Sequence, residues 1–229
     1  MGPRPQPVAP GGAHLAAAHH LSTRLWRAHA LARKAGRLMD GAIVEWLNGF
    51  VGRWAIVDAI VRAFVSDYLV AVFGGLLIVS IWLLGRDNEQ RFHSQVMSIV
   101  GMLAVGLTNL STELVNFFYF RPRPFRAFDL DLSLFYPPTD SSFPANSAGV
   151  AFTISAVLFM YNRKLGWLML AFAVLWGFSR VFAGIHYPTD ILGGAAIGIV
   201  VAFFSLGFVR LFIVVPLHVL RIARLFYIA

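Results

Sequence analysis

Two apolar segments enclose the polar sequence Ser179-Arg-Val-Phe-Ala-Gly-Ile-His-Tyr-Pro-Thr-Asp190. Charged groups beside a membrane core are costly, so their presence there indicates a function. His186 and Asp190 have the parts of an oriented nucleophile, because the carboxylate can hold the proton of one ring nitrogen and leave the other lone pair free. A His–Asp pair with this spacing is, taken alone, more often structural. The long polar string in an apolar chain favours chemistry instead.

The composition of the chain indicates a protein embedded in a membrane. Of its 229 residues, 58% are hydrophobic and 13% are charged, whereas soluble domains carry about 25% charged residues. The mean hydropathy is +0.70. A chain of this length suits one polytopic bundle of five to six spanning helices. The predicted fold class is therefore all-α.

The net charge of +8 is assigned to loops and tails that face membrane headgroups. We do not assign it to nucleic-acid binding, because long uncharged runs separate the charges. The chain has no cysteine, which excludes disulfides, iron–sulfur clusters and thiolate zinc sites. The sequence gives no reason to expect a metal, a cofactor or an obligatory protein partner.

Five segments are apolar enough to predict helices that cross the bilayer. They are Tyr68–Gly85, Phe92–Thr112, Ala148–Tyr161, Leu165–Phe182 and Ile191–Val209. In the last of them, Gly194 and Gly198 are spaced for close contact with another helix. Together the segments predict one membrane-embedded domain, residues 41–229.

Two N-terminal regions precede these segments. Residues 1–40 are rich in Pro, Gly and Ala and then become basic, which predicts a tail that is partly disordered or interfacial. Residues 41–66 carry four charges among apolar positions. That pattern favours an amphipathic helix lying in the interface, and a sixth spanning helix is the alternative.

If successive spans alternate in direction, the polar sequence around His186 and the polar connection 121–143 share one face of the bundle. Basic residues collect at the opposite face, namely Arg86, Arg91, Arg163, Lys164, Arg210, Arg221 and Arg224. By the positive-inside rule that face is cytoplasmic. We therefore predict a multi-pass protein of the cell (inner) membrane whose site faces the periplasmic or extracellular side. The basic tail fits this orientation only if residues 41–66 cross.

The sequence 179–190 resembles the third signature motif of the type 2 phosphatidic acid phosphatases. This superfamily includes bacterial undecaprenyl-diphosphate phosphatases. The resemblance implies a membrane lipid phosphatase that works through a phosphohistidine. In it, His186 is the nucleophile, Asp190 its orienting partner and Arg180 a phosphate clamp.

The sequence 116–125, Asn-Phe-Phe-Tyr-Phe-Arg-Pro-Arg-Pro-Phe, resembles the first motif of the family, a lysine followed seven residues later by Arg-Pro. Arg123 fits the end of the motif and Asn116 stands at the lysine. With Arg121 as the end, Leu114 stands there. The resemblance implies phosphate binding by Arg123, Arg121 and Asn116, since two such arginines can fork around phosphate oxygens. Taken alone, the stretch could also be a basic loop on lipid headgroups.

The sequence 141–148, Ser-Ser-Phe-Pro-Ala-Asn-Ser-Ala, resembles the second motif, normally Pro-Ser-Gly-His. Ser147 stands at the position of the histidine that is the family's general acid. The resemblance gives Ser147 a catalytic position and Ala145 and Asn146 a phosphate-binding role through N–H groups at a helix start. A serine hydroxyl is too weak an acid to replace imidazolium near neutral pH.

This replacement predicts the substrate class. Cleavage of a phosphate monoester expels an alkoxide, which benefits strongly from a proton. Cleavage of a diphosphate expels a phosphomonoester, whose second pKa is about 6, and this group leaves without help. We therefore predict removal of the terminal phosphate from a lipid diphosphate, and a polyprenyl diphosphate is the candidate that the family offers.

Three other functions fit the residues. A phosphotransferase would pass the phosphate of His186 to another lipid instead of water. A catalytically impaired lipid-phosphate-binding protein would keep the arginines without turnover. A channel or transporter built on the same helices would not depend on His186. The haloperoxidases of the superfamily are disfavoured, because they are soluble.

Overall fold

The computed structural model describes residues 36, 38–134 and 138–212. The chain divides into two compact units, Met1–Ala42 and Ile43–Ala229. In the first unit, the described residues 36 and 38–42 are helical. Most of the basic tail predicted at residues 1–40 lies outside the described residues, as do Arg221 and Arg224, which the sequence predicts to be cytoplasmic.

The second unit consists of helices, and no strand occurs among its described residues. The helices are α1 (residues 43–48), α2 (Ala55–Phe64), α3 (Asp67–Trp82), α4 (Asn88–Phe118), α5 (Pro124–Ala127), α6 (Asn146–Tyr161), α7 (Arg163–Phe182) and α8 (Pro188–Leu211). The predicted all-α class is confirmed.

Three of these helices, α4, α7 and α8, are long and apolar enough to cross a membrane. The 31 residues of α4 span about 46 Å at 1.5 Å per residue, so this helix extends beyond a hydrocarbon core of about 30 Å. Helices α2 and α3 form a pair bent by 64°, which would make a fourth crossing if counted as one span. Helix α6 is apolar but has only 16 residues.

Capping residues extend three predicted helices beyond their apolar segments. Asp87 accepts a hydrogen bond of 2.8 Å from the Gln90 amide, so α4 begins before Phe92. The Asn162 side chain accepts from the Lys164 amide at 2.9 Å and starts α7. At α8 the first residue is Pro188, whose missing N–H is not needed at that position. Hydropathy alone does not detect these polar starts.

The bundle is closest between α6 and α8, where glycines replace side chains. A methyl group at Gly198 would collide with the carbonyl oxygen of Gly149, and one at Gly194 with that of Ala145. The predicted close contact at Gly194 and Gly198 is therefore confirmed. On its other side α6 meets α4 through the buried hydroxyls of Thr108 and Thr153, 2.7 Å apart.

Two hydrogen bonds identify which helix ends lie together. The Ser94 and Tyr161 hydroxyls are 2.9 Å apart, which joins the start of α4 to the end of α6. At the other end of the bundle, the Ala145 amide donates to the Asp190 carbonyl at 3.2 Å and joins the start of α6 to that of α8. The helices thus alternate in direction as predicted. The sequence around His186 lies at the end of the bundle where α6 and α8 start.

A small apolar cluster covers this end of the bundle. It contains Val61 and Val65 from α2 and its C-cap, Leu134 from the loop after α5, and Phe182 and Ile185 from the end of α7 and the turn after it. The cluster brings α2 against the end of the bundle that carries His186.

Asn48 joins the three parts of this cover by hydrogen bonds. Its buried side chain donates to the carbonyls of Asp131 at 3.2 Å and Phe182 at 3.3 Å, and its oxygen accepts from the Asp131 amide at 2.8 Å. The side chain therefore replaces the backbone partners that the loop at Asp131 lacks.

Candidate active site

His186 lies in the turn between α7 and α8 and is buried. Its Nδ1 atom is 3.1 Å from the carbonyl oxygen of Ser142, and its Nε2 atom is 3.1 Å from Nη1 of Arg123. A carbonyl only accepts and a guanidinium only donates. The proton therefore resides on Nδ1, and the lone pair of Nε2 points at the Arg123 cation.

The pKa of His186 agrees with this neutral form. Burial is the largest cause and lowers the pKa from its usual 6.5 to about 4. The Asp190 carboxylate opposes the shift, whereas the charges of Arg123 and Arg180 add to it. Near neutral pH the imidazole is therefore unprotonated, as a nucleophile must be.

Arg123 is buried beside His186 and is held from two directions. Its Nη1 atom donates to the Ile185 carbonyl at 3.3 Å, in addition to its contact with His186. On the other side, Nη2 donates to the Asp140 carboxylate at 2.8 Å and Nε to the Asp140 carbonyl at 3.2 Å. The Asp140 side chain is 67% exposed, so one partner of Arg123 faces solvent.

Arg180 lies in the last turn of α7 and is also buried. Its Nη1 atom donates to the Val65 carbonyl at 2.7 Å, between α2 and α3. Its guanidinium carbon lies 5.3 Å from the ring centre of Trp176, and the Trp176 indole donates to the Ser66 carbonyl at 3.2 Å. The bend between α2 and α3 thus holds the second arginine of the site.

Arg121 has a different environment from Arg123, although only Pro122 separates them. Its Nη1 atom is 2.6 Å from Asp190 Oδ1 and 2.8 Å from the Thr189 hydroxyl. Its guanidinium carbon lies 4.0 Å from the ring centre of Tyr187. Arg121 therefore neutralises the carboxylate at the start of α8, whereas Arg123 contacts the imidazole.

Asp190 does not form the predicted hydrogen bond with His186. Its Oδ2 atom is 3.9 Å from Nδ1 of the ring, beyond hydrogen-bond distance. That oxygen instead accepts from the Ser142 hydroxyl and, at 3.0 Å, from the Tyr187 amide. The expectation that Asp190 orients His186 directly is corrected, because the Ser142 carbonyl occupies that position.

Ser142 was given no role from the sequence. It joins the two halves of the site, since its carbonyl accepts from His186 and its hydroxyl donates to Asp190. The Phe143–Pro144 peptide bond that follows is cis. The sequence shows only a serine before Phe-Pro, and it does not indicate the contact with His186, which lies 44 residues away in the chain.

The residues at the start of α6 lie beside this network and are neutral. The Ala145 amide, expected to bind phosphate, donates to the Asp190 carbonyl, so it is engaged within the protein. Asn146 Oδ1 accepts from the Thr112 hydroxyl at 2.7 Å. Ser147 lines a groove between α3, α4 and α6. Asn116 lies in the last turn of α4, and its side-chain oxygen is buried without a hydrogen-bond partner.

Residues 96–213, just over half of the chain, match the PAP2 superfamily. The chain belongs to this superfamily. The matched region contains all three sequences that surround His186. As a PAP2 member it is a relative of membrane lipid phosphatases.

Curated PAP2 relatives cover most of the chain. It is 32% identical over 165 residues to the undecaprenyl-diphosphatase BcrC of Bacillus subtilis, an alignment covering 72% of this chain and 81% of the relative. It is 31% identical over 148 residues to the putative undecaprenyl-diphosphatase YbjG of Escherichia coli, covering 64% and 70% respectively.

Two crystal structures share the PAP2 fold. A PAP2 type phosphatidylglycerolphosphate phosphatase from Bacillus subtilis superposes with a TM-score of 0.57 at 21% identity, over 81% of this chain and 92% of the other. LpxE from Aquifex aeolicus superposes with a TM-score of 0.55 at 26% identity, over 72% and 93%.

Proposed function

We propose that the protein is an integral membrane phosphatase that removes the terminal phosphate from a lipid diphosphate. The observation that carries the proposal is the buried, neutral imidazole of His186, whose Nε2 lone pair faces the guanidinium of Arg123 at 3.1 Å. A nucleophile beside a cation matches a reaction in which the attacked group is anionic.

In the proposed reaction, the terminal phosphate displaces the contact between Arg123 and His186. Nε2 then attacks the phosphorus in line, the bond from phosphorus to the bridging oxygen breaks, and the lipid monophosphate leaves with the electron pair. Water afterwards cleaves the phosphorus–nitrogen bond of the phosphohistidine and releases inorganic phosphate. Cationic side chains carry the charge stabilisation of such a transfer.

The two buried arginines are the proposed phosphate ligands. Arg123 contacts the attacking atom itself, and the charges of both Arg123 and Arg180 act on the pKa of His186. A guanidinium group binds two phosphate oxygens at once. It therefore orients the phosphoryl group and also stabilises its negative charge.

Arg121, Asp190 and Ser142 are proposed as positioning residues. Arg121 and the Ser142 hydroxyl hold the Asp190 carboxylate, and the carbonyl of the same serine holds the proton of His186. Asp190 would act on the nucleophile through Ser142, and its charge would stabilise the ring as it becomes cationic in the phosphohistidine.

The neutral residues at the start of α6 support a diphosphate as the substrate. Ser147 cannot protonate an alkoxide, but the lipid monophosphate that leaves a diphosphate has a second pKa of about 6 and needs no acid. Two relatives, BcrC of Bacillus subtilis and a protein of Sulfolobus acidocaldarius, are named undecaprenyl-diphosphatases. A polyprenyl diphosphate is therefore the proposed substrate.

We further propose five crossings, with α3 and α6 crossing in addition to the three longer helices and with α2 lying in the interface. The described basic residues Arg86, Arg163, Lys164 and Arg210 lie at helix ends opposite His186. The positive-inside rule then orients the site toward the periplasmic or extracellular side.

The test is phosphate release by the detergent-purified protein from a polyprenyl diphosphate, phosphatidate and phosphatidylglycerol phosphate. The diphosphate is expected to react fastest. His186→Ala should reduce release by at least about a thousandfold, because it removes the nucleophile. His93→Ala is the matched control, since His93 stacks on Tyr161 at the other end of the bundle, and it should retain activity. Phosphatidate as the best substrate, or full activity in His186→Ala, would contradict the proposal.

One observation favours a second candidate, a lipid-phosphate-binding protein without turnover. Neither Ser147 nor Asn116 supplies the charge that the family motifs have there, and the Asn116 oxygen is buried without a partner. This candidate predicts no phosphate release but binding of the lipid diphosphate that is lost in Arg123→Gln. Adding an acceptor lipid to the same assay would detect a phosphotransferase.

A further inference from the structure

Asp140 is a charged residue beside Arg123 to which the proposed reaction gives no part. Its carboxylate oxygen Oδ1 accepts from Nη2 of Arg123 at 2.8 Å, and its backbone carbonyl accepts from Nε of the same arginine at 3.2 Å. The Asp140 side chain is 67% exposed, whereas that of Arg123 is 3% exposed. One residue therefore contacts the proposed phosphate ligand twice, through a backbone atom and through a side chain that reaches solvent.

The backbone next to Asp140 is anchored, although the side chain is exposed. The Ser142 amide donates to the Arg121 carbonyl at 2.9 Å, and the Arg121 amide donates to the Ser141 hydroxyl at 3.1 Å. These hydrogen bonds join the residues that follow Asp140 to the segment that carries Arg123. The Asp140 carboxylate can therefore move while its backbone carbonyl keeps its contact with Arg123.

A phosphate that binds the fork of Arg123 takes the position of this carboxylate. Bidentate binding uses two neighbouring N–H groups of one guanidinium. Nε and one N–H of Nη1 donate to the backbone carbonyls of Asp140 and Ile185, which hold the guanidinium in place. The other contacts of Arg123 are those of Nη1 with His186 and of Nη2 with the Asp140 carboxylate. A phosphate held by Nη1 and Nη2 thus replaces both, and the exposed carboxylate is the group that turns away.

A second arginine–carboxylate pair of the site lacks this freedom. Arg121 contacts Asp190 at 2.6 Å, and the Asp190 side chain is buried with an exposure of 0%. The Ser142 hydroxyl also donates to that carboxylate, and separating the pair would leave a buried charge without its partner. Water can solvate the Asp140 carboxylate when it leaves Arg123, so its displacement costs far less. The pair at Arg123 is therefore the exchangeable one.

Arg126 offers the displaced carboxylate another cation. Its Nη2 atom donates to the carbonyl of Thr139 at 3.3 Å, and Thr139 directly precedes Asp140 in the chain. The Arg126 side chain is exposed. A carboxylate that leaves the buried guanidinium of Arg123 therefore has an exposed guanidinium in its neighbourhood to approach.

We propose that Asp140 is a positioning residue that exchanges with the terminal phosphate of the substrate on Arg123. The inference rests on the proposed function, because it takes Arg123 as a phosphate ligand. The carboxylate holds Nη2 before phosphate binds, weakens the binding of any anion that must displace it, and competes with inorganic phosphate for Arg123 after hydrolysis. Asp140 thereby sets the affinity for phosphate without touching the reacting atoms.

The test measures the Kd of orthovanadate, an analogue of phosphate, for the detergent-purified protein by isothermal titration calorimetry. Asp140→Asn keeps the backbone carbonyl and a side-chain oxygen but removes the charge. Its Kd should be about fivefold lower than that of the wild type, the upper end for loss of an exposed ion pair. Asp129→Asn is the matched control, because Asp129 is exposed in the same connection between α5 and α6, and its Kd should equal that of the wild type. Arg123→Gln should abolish binding.

Arg126→Gln is a second variant with the opposite expected sign. Without this cation the displaced carboxylate loses a neighbour, so the Kd of orthovanadate should rise by about threefold. The same substitution should have no effect when it is combined with Asp140→Asn, because no carboxylate is then displaced. A rise of equal size in both backgrounds would reflect the lost charge alone and would contradict the exchange.

Steady-state kinetics on the lipid diphosphate gives a further readout. In Asp140→Asn, KM should fall while kcat does not rise, since phosphate leaves Arg123 less readily. Unchanged or weaker orthovanadate binding in Asp140→Asn, or equal tightening in Asp129→Asn, would overturn the proposal.

The binding measurement also separates this proposal from the proposed function, because binding of orthovanadate does not require turnover. Tighter binding in Asp140→Asn supports the exchange even if no diphosphate is hydrolysed. Hydrolysis that depends on His186, together with unchanged binding in Asp140→Asn, would refute the exchange and leave the proposed function standing.

Discussion

The turn between α7 and α8 and the start of α6 lie against each other, yet they differ in the chemistry they carry. The turn carries the imidazole of His186, and the charges of Arg180 and Asp190 stand on either side of it. The start of α6 offers Ala145, Asn146 and Ser147, which are neutral. A hydrogen bond from the Ala145 amide to the Asp190 carbonyl joins the two regions. In the proposed reaction, the nucleophile and the acid for the leaving group would belong to these two separate regions, and only the first region carries a side chain suited to its role.

Among the substitutions that compare these two regions, the largest effect is expected from restoring an acid at the start of α6. Ser147→His should raise turnover of a lipid phosphate monoester by about a hundredfold or more, within the 10²–10⁴ range of general acid catalysis. Turnover of the diphosphate should rise by less than about tenfold, because its leaving group needs no proton. Phosphate release on both substrates is the measurement.

Ser147→Gln is the control for this substitution, since it adds size and hydrogen bonds without an acid. It should leave both turnovers near the wild-type values. Equal gains on the monoester and the diphosphate in Ser147→His would show that the two regions are not separable in this way.

A second effect compares Arg123, which contacts His186, with Arg121, which contacts Asp190. Arg123→Lys should lower kcat by about a hundredfold, because a lysine loses the fork that binds phosphate oxygens. Arg121→Lys should lower kcat by no more than about tenfold, since a lysine can still pair with the Asp190 carboxylate. Steady-state kinetics on the diphosphate checks the order, and the reverse order would exchange their roles.

The pH dependence tests the state of the nucleophile. Burial lowers the pKa of His186 from 6.5 to about 4, so the neutral ring persists well below pH 6. After correction for ionisation of the substrate, kcat/KM should stay level from pH 8 to about pH 5 and fall near pH 4. A fall centred at pH 6.5 would mean that the ring is hydrated and not buried.

The lowered pKa of His186 also makes the free energy of unfolding depend on pH. Below pH 6.5 the unfolded chain takes up a proton on His186 that the folded protein does not accept until about pH 4. The free energy of unfolding therefore decreases as the pH falls through this window.

The smallest effect concerns Asn48, which joins the segments packed over the turn between α7 and α8. Asn48→Ala removes three hydrogen bonds, one to the buried Phe182 carbonyl and two to partly buried backbone groups of Asp131, which should lower the free energy of unfolding by about 1–3 kcal/mol. Thermal unfolding in detergent measures it. Asn48→Asp keeps the acceptor but turns a carboxylate oxygen toward the Asp131 and Phe182 carbonyls, so a loss at least as large is expected. No change in either variant would remove Asn48 from the support of the turn.

The features that depend on position along the membrane normal, such as the bounds of the long helices, were predicted well from the sequence. The segments at Leu165–Phe182 and Ile191–Val209 match α7 and α8 within three residues, because apolar length determines where a helix crosses. The proximity of His186 and Arg123 was likewise predicted from motifs at the ends of neighbouring spans, and their atoms are 3.1 Å apart.

The sequence could not predict contacts that depend on how helices are rotated and how loops return. Asn48 and Asp131 are 83 residues apart in the chain, and neither carries a local signal for the other. Arg121 and Arg123 fit the first motif in alternative registers, and only packing assigns one to Asp190 and the other to His186. The partner of Nδ1 was missed because it is a backbone carbonyl, which every residue has.

The bend between α2 and α3 has a consequence for the membrane around the protein. The Val65 carbonyl at that bend accepts a hydrogen bond from Arg180, so the angle between α2 and α3 also sets the position of a guanidinium in the site. A bilayer thin or thick enough to change the angle would move that group. Membrane thickness would thereby become a physical variable of the proposed turnover, although bulk lipid would take no part in the chemistry.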